Sequence, residues 1–391
     1  MSPLLVMYAP APVIDEGATL RLDGKFVTGM AAHCALWPGP VRCLLRRGAV
    51  DIPFGAASHA AADLPFEPVL LAPGEPVGPA HVVGAAAVFA VADMADALHL
   101  PGLARAAGAK LVYTLEYTLA TRLQIVRLDA ARSAPRRLWS AGWNLRQEVR
   151  RRRAIRAADG LQASGYAAYD GYRGLNPRTL LYLDGRMRPG LLATPEEMAA
   201  RRDRLLAGAP LRLIHSGRLE PMKGAQDLVP IMAALRDAGV AASLDVYGVG
   251  SLRERIAADA AAAGLGAALR LHAAVDFETE LAPLTRTGAD VFLSCHRQSD
   301  PSCTYVEAMG CGLTVAGYAN GMWAPMAADA GAGAVAPLGD AAALARRIIA
   351  LDRDRPGLVE ACARSLAFAR AHDFPSEYVR RMDHLKAIAL G

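Results

Sequence analysis

Short apolar runs alternate with longer stretches of helical period along most of the chain. Strands are predicted at 4–8, 41–45, 69–71, 87–90, 111–114, 160–163 and 179–182. After a gap they resume at 211–215, 243–247, 269–272, 291–293, 314–316 and 333–335. Helical patterns fill most of the intervals, for example 226–238 and 252–263. Alternation of this kind predicts an α/β chain with parallel sheets covered by helices on both faces, and two series predict two doubly wound domains. Pro189, Gly190, Pro195 and Pro210 surround a charged helical stretch at 196–206, which reads as a connector. The expected division is a first domain at 1–190, a linker at 191–210 and a second domain at 211–375. A helix at 376–391 is expected to pack back on the first domain.

Composition changes this picture little. The 391 residues are 53% hydrophobic and 21% charged, enough to fill two cores and unlike a disordered chain. The cysteines at 34, 43, 295, 303, 311 and 362 show no CxxC pair and no metal-ligand spacing, as expected of reduced thiols in a cytosolic protein. No charged start and apolar core of a signal peptide opens the sequence, and no uncharged run is long enough to span a bilayer. The net charge of +5 is modest, but nine arginines and one acid, Glu148, lie between Arg132 and Arg156. That asymmetry needs a partner or a solvated helix face to explain it.

Candidate chemistry gathers in the second half. His215-Ser216-Gly217-Arg218-Leu219-Glu220-Pro221-Met222-Lys223-Gly224 stands where a strand ends and a helix begins. Ligands of doubly wound sheets bind there, Gly217 allows close approach to the backbone, and Arg218 and Lys223 supply two cations suited to a pyrophosphate. An ordinary βα turn with solvated charges would look the same. Gly248 and Gly250 follow the next strand, a GxG that any doubly wound domain can use. A third segment runs from Ala289 through Ser299, Asp300, Pro301, Ser302, Cys303 and Thr304 to Glu307. Ser302 or Thr304 is placed to cap a short helix carrying Glu307, whose carboxylate suits the vicinal hydroxyls of a ribose or, alternatively, a structural ion pair.

In this order and spacing the three segments resemble the donor domain of GT-B glycosyltransferases, nearest to the retaining family 4. Gly217-Arg218 with Lys223-Gly224 matches the family's phosphate motif, and Glu307-Ala308-Met309-Gly310-Cys311-Gly312 matches the second half of its E-x7-E motif. The first glutamate of that motif is replaced here by Ser299, followed by Asp300 and by Pro301, which lacks an N–H. The resemblance implies two Rossmann-like domains facing each other across a cleft. It implies a nucleotide-diphosphate sugar, a UDP- or GDP-sugar, as donor, and transfer with retention and no obligatory metal or cofactor. Arg218 and Lys223 are expected to neutralise the leaving diphosphate, Glu307 to hold the ribose, and Asp300 to take over a sugar-hydroxyl contact. Ser302, Cys303 and Thr304 are expected to offer backbone N–H groups.

In the first half the likeness is thinner. Glu116 ends a buried strand near the position where relatives carry a histidine facing the donor sugar, so it is a catalytic candidate or a capping acid. Gly24, in the 23–29 segment, occupies the place of the family's glycine loop and would offer an N–H to the donor phosphates. Arg136, Arg137, Trp139, Trp143, Arg146, Arg150, Arg151, Arg152 and Arg153 interleave arginine with tryptophan, which suits an anionic membrane surface or a lipid-linked acceptor. No nucleic-acid-binding motif accompanies them. The expected role is sugar transfer to a glycan or glycolipid, in the cytoplasm or at the inner face of its membrane. A catalytically inactive partner subunit and a GT-B-shaped nucleotide-sugar epimerase remain as alternatives.

Overall fold

The computed structural model describes residues 2–48, 51–52, 55–129 and 133–391. They divide into two compact units: Met1–Arg122, Ala134–Tyr182 and Glu377–Gly391 in the first, and Leu123–Ser133 with Leu183–Ser376 in the second.

The first unit is built on nine strands: β1 (Leu4–Asp15), β2 (Thr19–Asp23), β3 (Val41–Arg47), β4 (Ala56–Ala60), β5 (Glu67–Leu71), β6 (Ala85–Val91), β7 (Lys110–Leu115), β8 (Gly160–Ser164) and β9 (Thr179–Tyr182). Seven of them form a parallel sheet in the order β5-β3-β1-β6-β7-β8-β9. Alternation along the strands divides the core between its two faces. Val6 and Tyr8 pack with Leu44, Val88 and Tyr113 on one side. Leu5 and Met7 pack with Leu45, Phe89 and Val112 on the other, where Met382, Leu385 and Ile388 of the last helix (Phe374–Ala389) complete the layer.

β2 and β4 are an antiparallel ribbon branching from the far end of β1, and the hydropathy pattern did not reveal them. β4 is mostly half-buried or exposed, so it lacks the apolar run that marks a core strand. The ribbon also changes the 23–29 segment. Asp23 accepts a hydrogen bond from the Phe26 amide at 2.9 Å and caps a helix, Gly24–Leu36, where a loop was expected.

The second unit holds six parallel strands: β10 (Leu211–Ser216), β11 (Ala242–Tyr247), β12 (Leu269–His272), β13 (Val291–Ser294), β14 (Thr314–Tyr318) and β15 (Ala334–Ala336). Their order is β12-β11-β10-β13-β14-β15. All thirteen expected strands of the two series are present within one or two residues, except that β1 and several others run longer. The 191–210 segment lies in this unit, where Thr194 and Glu197 form a capping box for the helix Pro195–Leu206. The helix expected to begin at 226 begins at Leu228, because two tight turns, Pro221–Lys223 and Ala225–Asp227, precede it.

Candidate functional site

The strand order of the second unit fixes where its crevice lies. From β10 the chain moves outward through β11 and β12, then returns to β13 on the other flank of β10. Connections therefore leave β10 and β13 in opposite directions, and ligands of such sheets bind outside the carboxyl ends of that strand pair. The three segments singled out above follow β10, β11 and β13 and meet at this edge.

Glycines bring the loops into contact. The Gly217 amide donates to Tyr247 O at 3.0 Å and the Leu219 amide to Val249 O at 2.9 Å. A Cβ on Gly248 would fall 2.0 Å from Gly217 O, and one on Gly250 would fall 2.5 Å from Leu219 O. The GxG therefore serves the contact of two backbones. A Cβ on Gly217 would meet nothing within 4 Å, so its free side remains open to approach by a ligand. Gly224 has φ +69°, and its missing Cβ lets Cys295 O come to within 1.9 Å of where that atom would be. This contact ties the turn carrying Lys223 to the loop after β13.

The result is a charged cluster. Lys223 is buried, and its Nζ donates to Asp300 Oδ2 at 2.6 Å, while Asp300 Oδ1 is buried with no hydrogen-bond partner among the described residues. Arg218 is exposed, with a guanidinium nitrogen 3.8 Å from Met222 Sδ. Two buried histidines stand behind them. His215 contacts Leu293 O through Nδ1 at 2.9 Å, and the His296 ring stands edge-on to it at 6.5 Å between centroids. Among the described residues neither nitrogen of His296 has a hydrogen-bond partner. Burial pushes its pKa well below the ordinary imidazole value, and the charges of Lys223, His215 and Arg218 push the same way. The chemistry available at this edge is thus that of two cations and one carboxylate beside a neutral imidazole.

Farther along the same loop, Ser299 Oγ accepts from the Gly321 amide at 2.9 Å, which ties it to the loop after β14. Neither Ser302 nor Thr304 caps the helix Thr304–Gly310: their hydroxyls bond each other at 2.8 Å, and the cap position is held by Cys303, whose side chain does not cap the helix amides. The Ser302 amide donates to Asp300 O at 2.8 Å, so it is not a free donor for a ligand.

Glu307 is buried and held by a residue that the sequence motifs did not reveal. Arg186 Nε donates to Glu307 Oε1 at 2.8 Å and its terminal nitrogen to Oε2 at 3.1 Å. The same guanidinium stacks 4.1 Å from the Phe277 ring centroid. Burial works against the Arg186 charge, but the carboxylate more than offsets it and the pKa is raised. A bidentate pair occupies two of a carboxylate's roughly four lone-pair sites, so Glu307 is fixed in orientation and keeps acceptor capacity. A hollow bordered by Ser216, Phe277, Phe292, Thr304 and Glu307 adjoins it.

In the first unit, chain direction reverses between β1 and β6. Tyr8 donates to Asp96 Oδ2 at 2.7 Å, and Arg46 donates to both the Tyr8 hydroxyl and Asp96. Asp93 accepts from the amides of Glu116 at 2.8 Å and Tyr117 at 3.2 Å, and pairs with Arg122. Burial raises the Asp93 pKa against the pull of Arg122. Glu116 is half-buried on a loop that Asp93 holds. Gly24 does not offer its amide to a ligand, because it donates to Gly55 O at 3.0 Å.

The basic stretch is one helix, Ala134–Ala157, with its arginines on different sides. Arg151 is buried, donating to Glu148 at 2.8 Å and Ala92 O at 2.9 Å. Arg152 contacts Glu148 and lies over the Tyr172 ring with its side chain 40% exposed, so Arg151, unlike Arg152, is withdrawn from the surface. Arg136, Arg146, Arg150 and Arg153 are exposed with Trp139 and Trp143, Arg137 is partly exposed, and Arg132 lies outside the described residues.

Residues 197–366 match the family described as Glycosyl transferases group 1. No curated protein sequence matches the chain. Among solved structures, Anabaena Alr3699/HepE in complex with UDP is similar over 99% of this chain and 100% of its own, with TM-score 0.64 and 15% identity. Sucrose-phosphate synthase (tll1590) from Thermosynechococcus elongatus matches over 98% of both chains with TM-score 0.65 and 16% identity. WaaG, a glycosyltransferase involved in lipopolysaccharide biosynthesis, covers 97% of this chain and 98% of its own, with TM-score 0.60 and 15% identity. The chain therefore has the GT-B fold, and its Glycosyl transferases group 1 domain marks it as a glycosyltransferase.

Proposed function

We propose that the protein moves a sugar from a UDP- or GDP-sugar to a glycan or lipid-linked acceptor in the synthesis of cell-surface polysaccharide or glycolipid. Transfer proceeds with retention of anomeric configuration, as in family 4, and needs no obligatory metal. The observation that carries this reading is the convergence of Arg218, Lys223, Asp300 and Glu307 at the carboxyl edge of β10 and β13. HepE, of similar fold, has been crystallised with UDP-glucose, which favours UDP as the nucleotide.

Each residue has a stated task. Glu307, oriented by Arg186, accepts the ribose hydroxyls. Gly217 lets the diphosphate approach the β10 loop, and Arg218 meets it first. Lys223 then exchanges its bond to Asp300 for the phosphate, which frees Asp300 for a sugar hydroxyl. As the glycosidic bond breaks, negative charge grows on the leaving diphosphate, and two fixed cations stabilise that charge without solvent reorganisation. Glu116, on the loop held by Asp93, is the acceptor-side carboxylate.

One observation favours a second reading. With Lys223 closed on Asp300 and Ser299 tied to the 321 amide, the site also fits a nucleotide-binding subunit that transfers nothing. Incubation with a panel of nucleotide sugars separates the readings. Transfer or slow hydrolysis releases free nucleotide, an epimerase yields a new sugar nucleotide, and an inactive subunit yields neither. Loss of nucleotide release in Asp300→Ala, with UDP binding retained, is the expected signature of the sugar-contact role.

A further inference from the structure

The helix Ala134–Ala157 is amphipathic in the reverse sense. Its inward face carries Ser140, Asn144, Gln147, Glu148 and Arg151, all buried. These polar groups are provided for: Asn144 Nδ2 donates to Ser140 O at 2.8 Å, Arg151 to Glu148 and Ala92 O, and the Tyr172 hydroxyl to Glu148 at 2.8 Å. Its outward face carries Leu138, Trp139, Trp143, Leu145 and Val149, with Leu138 77% and Trp139 72% exposed. A surface helix ordinarily turns its apolar stripe to the core. Here the buried hydrogen bonds fix the rotation, so no roll of the helix hides the outward residues.

Helical geometry groups those residues. Leu138, Leu145 and Val149 share one line, with Trp139 and Trp143 on the next, along about 16 Å of axis. Exposed arginines share this side of the helix: Arg146, Arg150 and Arg153 are interleaved with the two lines, with Arg136 toward the beginning of the helix and Arg156 toward its end. The only acid of the helix, Glu148, faces inward. Among the described residues no helix is long and apolar enough to cross a membrane.

We propose that this face docks on an anionic lipid bilayer. Trp139, Trp143 and the neighbouring aliphatic side chains enter the boundary between headgroups and acyl chains, and the arginines hold lipid phosphates. Charge complementarity selects the occupant: a partner with no negative charge would leave this run of arginines unanswered, whereas an anionic leaflet meets both the charge and the apolar area. The inference goes beyond sugar transfer and does not depend on it.

The test sediments the full-length chain with vesicles of phosphatidylcholine containing about 30% phosphatidylglycerol, in parallel with phosphatidylcholine alone, at low and high salt. Salt-sensitive binding to the anionic vesicles is expected, with a blue shift of tryptophan fluorescence. The double variant L138S/W139S is expected to partition at least about tenfold more weakly. R146E/R153E should fall by a similar factor and lose most of its salt dependence. All of these side chains are exposed, and circular dichroism checks that each variant folds. The proposal is overturned by equal binding to neutral vesicles, by no binding to anionic ones, or by undiminished binding of L138S/W139S. A wild-type dimer that L138S/W139S dissociates would assign the face to a second copy and would also overturn it. Nucleotide release with a soluble acceptor, measured on the same preparation, tests the transfer reaction separately.

Discussion

Lys223 and Asp300 join two loops, the turn after β10 and the loop after β13, and replacing either tests how the site is held. The side chains are 9% and 16% exposed and their charged atoms are 2.6 Å apart. Removing one member of so buried a pair leaves the other charge without compensation, a loss of about 3 kcal/mol at the lower end of the range for buried pairs. Lys223→Met strands a carboxylate whose other oxygen already lacks a partner. Asp300→Asn is gentler, because an amide oxygen still accepts from the ammonium, and should cost about 1–2 kcal/mol. The double variant K223M/D300N removes both charges and should return to within about 1 kcal/mol of the wild type, since replacing a whole buried pair is often neutral. Spread over a unit of about 200 residues, 3 kcal/mol lowers Tm by roughly 6–12 °C. Differential scanning calorimetry of the four proteins closes the cycle. Additivity, with a coupling energy below about 0.5 kcal/mol, would refute a direct pair and with it the exchange of Lys223 from Asp300 to phosphate.

Three other outcomes follow from the same geometry. Arg186→Met should destabilise the second unit and raise the donor KM at least about tenfold, because a buried Glu307 loses its bidentate partner; unchanged UDP binding in calorimetry would separate Glu307 from the nucleotide. Gly248→Ala drives a Cβ into Gly217 O and should cost at least about 2 kcal/mol while displacing Arg218, read as lower Tm and weaker UDP binding. His215 and His296 have depressed pKa values through burial, so the unfolded chain takes up protons that the folded chain refuses. Their contribution is complete above the unfolded value near about 6.5 and is lost as pH falls below it, at up to about 1.4 kcal/mol per pH unit for each. Urea melts from neutral pH to pH of about 5 should show this slope, and His296→Asn should flatten it.

What the sequence revealed of this site, and what it hid, divides along a physical line. Gly217 and Arg218 were legible because they follow directly on the end of β10, and Lys223 and Glu307 because they stand in motifs of fixed spacing, in the turn after β10 and the helix after β13. The loop contacts were legible only in part: Gly248 and Gly250 announced a tight backbone, but not that the backbone they admit is Gly217–Leu219 rather than a phosphate. Arg186 and Asp93 were hidden for a common reason. Each acts through a partner distant in the chain, Arg186 being 121 residues from Glu307 and Asp93 being 23 from Glu116, and no local pattern encodes such a pairing. The helix Ala134–Ala157 shows the limit most sharply. Its arginine count drew attention in the sequence, yet charge alone did not separate Arg151, buried on Glu148, from Arg153, exposed to solvent. Helical spacing groups positions 140, 144, 147, 148 and 151 on one side, and their polarity argues that this side faces water. It faces the core, because Glu148, Arg151, Tyr172 and the Ala92 carbonyl satisfy one another there. A buried polar network that is internally complete can thus reverse the sidedness that hydropathy assigns to a helix, and the apolar face it turns outward becomes a surface to be explained by what lies outside the chain.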